Sequence, residues 1–153
     1  VAHLNNLPTR LFAMTCLRAK YFRLMPALMD VSMLEAVALV ACGGAVGAVL
    51  RFGMGQLVPS GQFPWSTFAV NILGAFLVAL IFFSFSTEMS DAVRLFLFVG
   101  LFGAFTTMST FTLETTTLFF DGRVWDAGLN FVLNAGVTVL GAVAGQYAAL
   151  LLA

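Results

Sequence analysis

Four long apolar runs, separated by short polar clusters, set the pattern of this chain. The first extends from Leu34 to Leu57, interrupted by Arg51, and the second from Thr67 to Phe85. The third starts at Val93 and reaches Phe120, and the fourth runs from Ala127 to the C-terminus. A helix needs ~20 predominantly apolar residues to cross the hydrocarbon layer, so each run can span a bilayer. Pro59-Ser60-Gly61 with Pro64, then Ser86 to Asp91, then Asp121-Gly122-Arg123 mark the turns. Ser90 and Asp91 are both suited to cap the third helix. The pattern predicts an all-α membrane protein with four transmembrane helices, both chain ends lying on one side of the membrane.

Inside the third run the pattern changes. Gly100 to Thr117 reads GLFGAFTTMSTFTLETTT, and from Thr106 to Thr117 eight of twelve residues are Thr or Ser. Polar side chains and loosened backbone persist at membrane depth only where protein or a water-filled path satisfies them. Gly100, Gly103 and the threonines hold a regular helix poorly, and Thr and Ser hydroxyls compete for the backbone. A break is expected between Gly103 and Thr107. The carbonyls it frees can coordinate a small hard cation such as Na+. Phe102, Phe105 and Phe111 flank it, and a phenyl edge carries partial positive charge that can face an anion. Glu114 closes the stretch near the interface, where a carboxylate is expected to stay solvated.

Other polar positions sharpen the picture. Asn71 lies about a turn inside the second run, and its amide at that depth requires partners. It serves either as glue between helices or as a donor to a passing anion. In the fourth run Asn130, Asn134 and Thr138 recur every four residues, which places them on one helix face. Gln146 continues that stripe, which lines either a helix contact or a permeation path. Gly43 with Gly47, and Gly141 with Gly145, form GxxxG pairs that allow close helix approach. Arg51 either snorkels to the interface or draws anions toward a pore mouth.

Composition agrees with the pattern. The chain is 61% hydrophobic and 9% charged, against roughly 25% charged in soluble domains, and its mean hydropathy is +1.01. Net charge is zero, so nothing points to nucleic acid. His3 is the only histidine, and Cys16 and Cys42 stand far apart, which argues against a histidine metal site or a disulfide. No nucleophile–base pair, HExxH, P-loop or dinucleotide fingerprint occurs, so no enzyme is expected.

Residues 1–33 differ in character. Arg10, Arg18, Lys20 and Arg23 make up four of the seven Lys and Arg residues. The segment is either a basic amphipathic arm on the membrane surface or an extension outside the working fold, with a start at Met29 or Met33. Val1 fits an alternative start codon, and the extension is the preferred expectation. The working domain is then residues 34–153. From Met33 onward the basic residues are Arg51 and Arg123 on one side and Arg94 on the other, almost no orientation signal. Such a chain can insert either way and pair antiparallel with a second copy. The basic arm would oppose this by adding four positive charges to the Arg94 side.

GGAVGAVLRF at Gly43 to Phe52, FAVNILGAF at Phe68 to Phe76 and GLFGAFTTMSTFTLE at Gly100 to Glu114 together resemble the Fluc/CrcB family of fluoride channels. With the four-span layout, the resemblance covers Leu34 to Ala153. It implies an antiparallel, dual-topology homodimer with two fluoride pores in a bacterial inner membrane. It implies a structural Na+ at the dimer centre, held by the carbonyls of Gly103 and Thr106 in the break of the third helix. Asn71 matches the family's pore asparagine, and Phe111 the second of two phenylalanines whose edges face fluoride. The first of the two falls on Met108, a departure, since a thioether has no ring edge. The same motif adds Ser109 and Thr110 to the pore. The polar track of the fourth helix falls on Asn134 and Thr138, with Phe131 or Asn130 near an expected tyrosine. Arg51 and Glu114 would line the vestibules.

The expected function is passive release of F− from the cytoplasm. HF crosses membranes and ionises inside, and an interior-negative potential drives the anion out by ~2.3 kcal/mol per charge per 100 mV. The partners expected are fluoride, a second copy of the chain and lipid. The alternative is a small dual-topology multidrug exporter, which needs a mid-membrane carboxylate. Glu35 sits at the edge of the first run and no Asp or Glu lies mid-span, which disfavours it. A third possibility is an assembly protein whose Thr-rich segment only packs helices.

Overall fold

The computed structural model describes residues 31–58, 61–85 and 88–152. Four helical spans order the chain: α1 (Met33–Leu57), α2 (Trp65–Phe85), α3 (Asp91–Phe120) and α4 (Val124–Leu152), each long and apolar enough to cross a membrane. Every described element is helical. Residues 1–30, which hold the basic arm, and the turn residues Pro59, Ser60, Ser86 and Thr87 lie outside the described residues.

Local chemistry sets the helix ends. The Ser32 side chain accepts from the Glu35 N–H at 3.3 Å and caps α1. Ser90, one of the two expected caps, does the same for α3 through the Val93 N–H at 3.4 Å. Between α3 and α4 the chain reverses through Gly122 at φ +77, a conformation that suits a residue without Cβ. The Arg123 guanidinium then pairs with Asp126 at 2.6 Å in the first turn of α4.

Two spans are not uniform α-helix. Leu95–Phe102 in α3 and Val132–Val137 in α4 take wide π-helical turns. In α3 the helical segment Gly103–Phe105 is followed by Thr106 at φ −74, ψ 158 and Thr107 at φ −148, ψ 115. Helix resumes as Met108–Phe120. Both threonines are in extended backbone, so α3 consists of two helical halves.

Glycine notches hold the spans together. Lipid tails give helices no hydrophobic reason to associate, so close backbone approach supplies the attraction. A Cβ at Gly43 would overlap the Phe96 carbonyl, and one at Gly47 the Leu101 carbonyl. The first GxxxG pair thus packs α1 onto the first half of α3 within the chain. Gly100 belongs to the same crossing, since a Cβ there would come 2.9 Å from the Val40 carbonyl. Gly100, expected to hold a regular helix poorly, lies in the π-helical stretch Leu95–Phe102 and is also buried in this helix contact. On the other side α2 packs along α4, where a Cβ at Gly145 would overlap the Phe76 carbonyl and one at Gly141 would meet Ile72 Cγ1 at 2.9 Å. The second half of α3 packs against the start of α4.

The outer surface is apolar, as a lipid-facing surface must be. Phe120, Trp125 and Leu151 are among its most exposed large side chains. Trp65, Phe120 and Trp125 lie at span ends, where amphipathic and aromatic rings favour the headgroup level.

Candidate functional site

The polar residues that interrupt the apolar runs converge in the interior, between α2, the second half of α3 and α4. Thr67, Asn71, Thr107, Asn130 and Asn134 are the buried polar residues of the described chain, and Asn130 is completely enclosed. Buried amides without partners would be costly, and these are joined in one chain of hydrogen bonds. Asn71 Nδ2 donates to the Thr107 carbonyl at 3.1 Å and to Asn134 Oδ1 at 2.8 Å. Asn71 Oδ1 accepts from the Thr107 N–H at 2.8 Å. Asn134 Nδ2 donates to Asn130 Oδ1 at 2.9 Å and to the Asn130 carbonyl at 3.2 Å. Asn130 Nδ2 in turn donates to Thr115 Oγ1 at 2.9 Å.

The Asn71 carboxamide takes the place of a peptide group facing Thr107, accepting from its N–H and donating to its carbonyl. This satisfies the extended backbone between the two halves of α3. It also redirects a donor, because a continuing helix would send the Thr107 N–H to the Gly103 carbonyl. Thr107 Oγ1 meanwhile accepts from the Thr110 N–H at 3.3 Å, capping the second half of α3. In a continuous helix that N–H would serve the Thr106 carbonyl. Gly103 and Thr106 are thus among the carbonyls that lose their helical donors at the extended residues, and carbonyls released in this way can hold a cation. Among the described residues no cluster of His, Cys, Asp or Glu offers an alternative.

The remaining predicted site residues fall in two environments. Phe111 is buried, its ring centroid 6.2 Å from that of Phe131. Met108, one turn earlier, is 71% exposed on the outer face of the chain, and Ser109 and Thr110 are exposed beside it. Thr107 Oγ1 donates to Thr110 Oγ1 at 2.9 Å and lies 3.4 Å from Ser109 Oγ. A polar thread thus runs from the buried asparagines out to this exposed surface. Arg51 is half-buried in α1 and stands outside the network.

Thr138 follows the asparagines at the same spacing but is tied to its own helix, its hydroxyl donating to the Leu133 carbonyl at 3.2 Å, five residues back. One expectation changes. Glu114 is not freely solvated. Its Oε1 accepts from Thr67 Oγ1 at 2.7 Å, and its Oε2 is buried without a partner among the described residues.

Thr67, Gly74 and Thr115 are site residues that sequence reasoning missed. Thr67 and Gly74 stand four residues before and three after Asn71, on one face of α2. That spacing was the available signal for both.

Comparison with known proteins agrees with the architecture. Residues 38–146 match the family described as CrcB-like protein, Camphor Resistance (CrcB). A protein of Shewanella halifaxensis described as fluoride-specific ion channel FluC is 43% identical over 114 residues, covering 72% of this chain and 92% of the relative. One from Geobacter sulfurreducens with the same description is 43% identical over 115 residues, covering 72% and 93%. Another from Thermus thermophilus is 46% identical over 98 residues, covering 61% and 78%.

Proposed function

Since this chain belongs to the CrcB family, we propose that it is a fluoride-specific channel. It lets F− leave the cytoplasm passively across a bacterial inner membrane. The observation that carries this function is the buried hydrogen-bonded chain of Asn71, Asn134, Asn130 and Thr115, which continues through Thr107 to exposed hydroxyls. A membrane protein built only to pack helices has no need of a polar thread that reaches its surface.

A desolvating anion needs donors in place of water. Asn71 and Asn134 present theirs at depth, already engaged with protein acceptors, so fluoride enters by exchange of hydrogen bonds. The hydroxyls of Ser109 and Thr110 rotate to donate, and Thr138 continues the path on α4. Phe111 offers a ring edge, and Met108 an apolar, polarizable wall. Arg51 and Glu114 line the mouths, where Arg51 attracts the anion.

The working unit is an antiparallel homodimer of dual topology. The exposure of Met108, Ser109 and Thr110 supports this, because a second copy would close the path they leave open. The interruption of α3 is the seat of a structural Na+ at the dimer centre, held by the carbonyls of Gly103 and Thr106 from each copy. Their diverted helical donors support the assignment. A sodium ion there would supply fixed positive charge and cross-link the two copies.

Reconstitution in liposomes tests the function. Fluoride should flow out while chloride stays. No fluoride flux, or equal chloride flux, would refute it. A proton-coupled multidrug exporter is disfavoured, since Glu35, Asp91 and Asp126 occupy first turns of their helices. Glu114 is tied to Thr67.

A further inference from the structure

Gly74 meets α3 at the point where its two halves separate. It is buried on α2, and a Cβ there would overlap Thr106 Cγ2 and come 3.2 Å from Phe105 Cδ1. Thr106 has little freedom to yield. Its hydroxyl donates to the Phe102 carbonyl at 2.9 Å, and its own N–H goes to the same carbonyl at 3.1 Å. A β-branched side chain is stiff about χ1, so the hydroxyl bond fixes where the methyl points. That methyl occupies the notch at Gly74. Nor can α2 retreat, because its other side is pressed against α4 at Gly141 and Gly145.

From this geometry we propose that Gly74 is a positioning residue for the Thr106 carbonyl. α2 then acts on the interruption through two residues on one face. Asn71 binds the backbone of Thr107, and Gly74 seats the methyl of Thr106. The hydroxyl bond and the notch together orient the Thr106 peptide, and with it the carbonyl assigned above to sodium. The inference rests on that assignment. A side chain at position 74 has room only if Thr106 gives up its hydroxyl bond to Phe102 or shifts its backbone, and either change releases the carbonyl from its orientation. Packing with α4 is a separate matter, carried by Gly141 and Gly145.

The full chain, purified in detergent, is melted across a series of sodium concentrations, with N-methyl-glucamine replacing sodium at constant ionic strength. A ligand that binds only the folded state stabilises it by RT ln(1 + L/Kd), with L its free concentration, so fitting the melting temperatures to that law gives the sodium concentration at half-occupancy, the midpoint. Gly74→Ala should raise that midpoint by about tenfold. The double variant Gly74→Ala with Thr106→Ser, which removes the obstructing methyl and keeps the hydroxyl, should return it to the wild-type value. Gly145→Ala disturbs α2–α4 packing without touching Thr106, so it should lower the melting temperature and leave the sodium midpoint unchanged. An unchanged midpoint in Gly74→Ala, or no recovery in the double variant, overturns the inference while leaving the sodium site standing. Should Gly74→Ala fail to fold, a folded double variant with the wild-type midpoint supports the inference and an unfolded one overturns it. A wild-type chain indifferent to sodium overturns the cation site and this inference together.

Discussion

Asn71 and Thr107 exchange two hydrogen bonds, amide hydrogen to carbonyl at 3.1 Å and backbone N–H to amide oxygen at 2.8 Å. The side chain of one span thereby completes the backbone of another. Replacing Asn71 by Ala strands the Thr107 N–H and Asn134 Oδ1, and each buried unsatisfied group costs about 1–3 kcal/mol. Asn71→Asp keeps the acceptor for the Thr107 N–H but sets a carboxylate oxygen against the Thr107 carbonyl and Asn134 Oδ1. Both variants should lose thermal stability and fluoride flux, with Asp at least as damaging as Ala. Wild-type behaviour in Asn71→Asp would show that Nδ2 is not the needed donor.

Neighbouring glycines in α1 offer an internal control. A Cβ at Gly43 would overlap the Phe96 carbonyl, whereas one at Gly44 would stop 4.0 Å from Ala104 Cβ. Gly43→Ala should therefore separate α1 from α3 and cost about 1–3 kcal/mol, as overpacking does. Gly44→Ala should stay within about 0.5 kcal/mol of wild type. Melting curves of the two variants, measured side by side, check the contrast.

Met108 and Phe111 should respond in opposite ways. Phe111 is 4% exposed and Met108 71% exposed. Phe111→Ala opens a cavity and should destabilise by about 3 kcal/mol. Met108→Phe should raise fluoride flux by adding a second ring edge to the path. A flux equal to wild type would place Met108 outside the fluoride path.

Thr67 holds Glu114 through one hydroxyl, at 2.7 Å. A hydrogen bond to a charged group is worth about 1.5–3 kcal/mol. Thr67→Val should lower the melting temperature by removing that donor, while Thr67→Ser, which keeps it, should restore much of the loss. Equal losses in the two variants would mean that the hydroxyl bond contributes nothing.

Much of this was legible before any coordinates. The spans lie within a few residues of the apolar runs, because spacing by turn residues and the thickness of a bilayer leave little choice. Asn71 declared itself by depth, Asn130 and Asn134 by their spacing of four, and they do meet. What stayed hidden depends on phase and on distance along the chain. The π turns of α4 are invisible to residue spacing, and so is the bond from the Thr138 hydroxyl to the Leu133 carbonyl five residues back. The bond from Thr67 to Glu114 joins residues 47 positions apart, which no local pattern encodes. Gly100 and Gly103 look alike as letters. Gly100 is wedged against α1, while a Cβ at Gly103 would meet only the Phe98 carbonyl at 3.6 Å.

Two exposed threonines in the second half of α3 turn their hydroxyls onto their own helix. Thr112 donates to the Met108 carbonyl at 2.9 Å and Thr116 to the Leu113 carbonyl at 2.8 Å. What such a residue then shows its surroundings is a methyl group. A helix written in the letters of a polar segment can in this way wear a coat of oil, and it sits beside acyl chains much as a run of valines would.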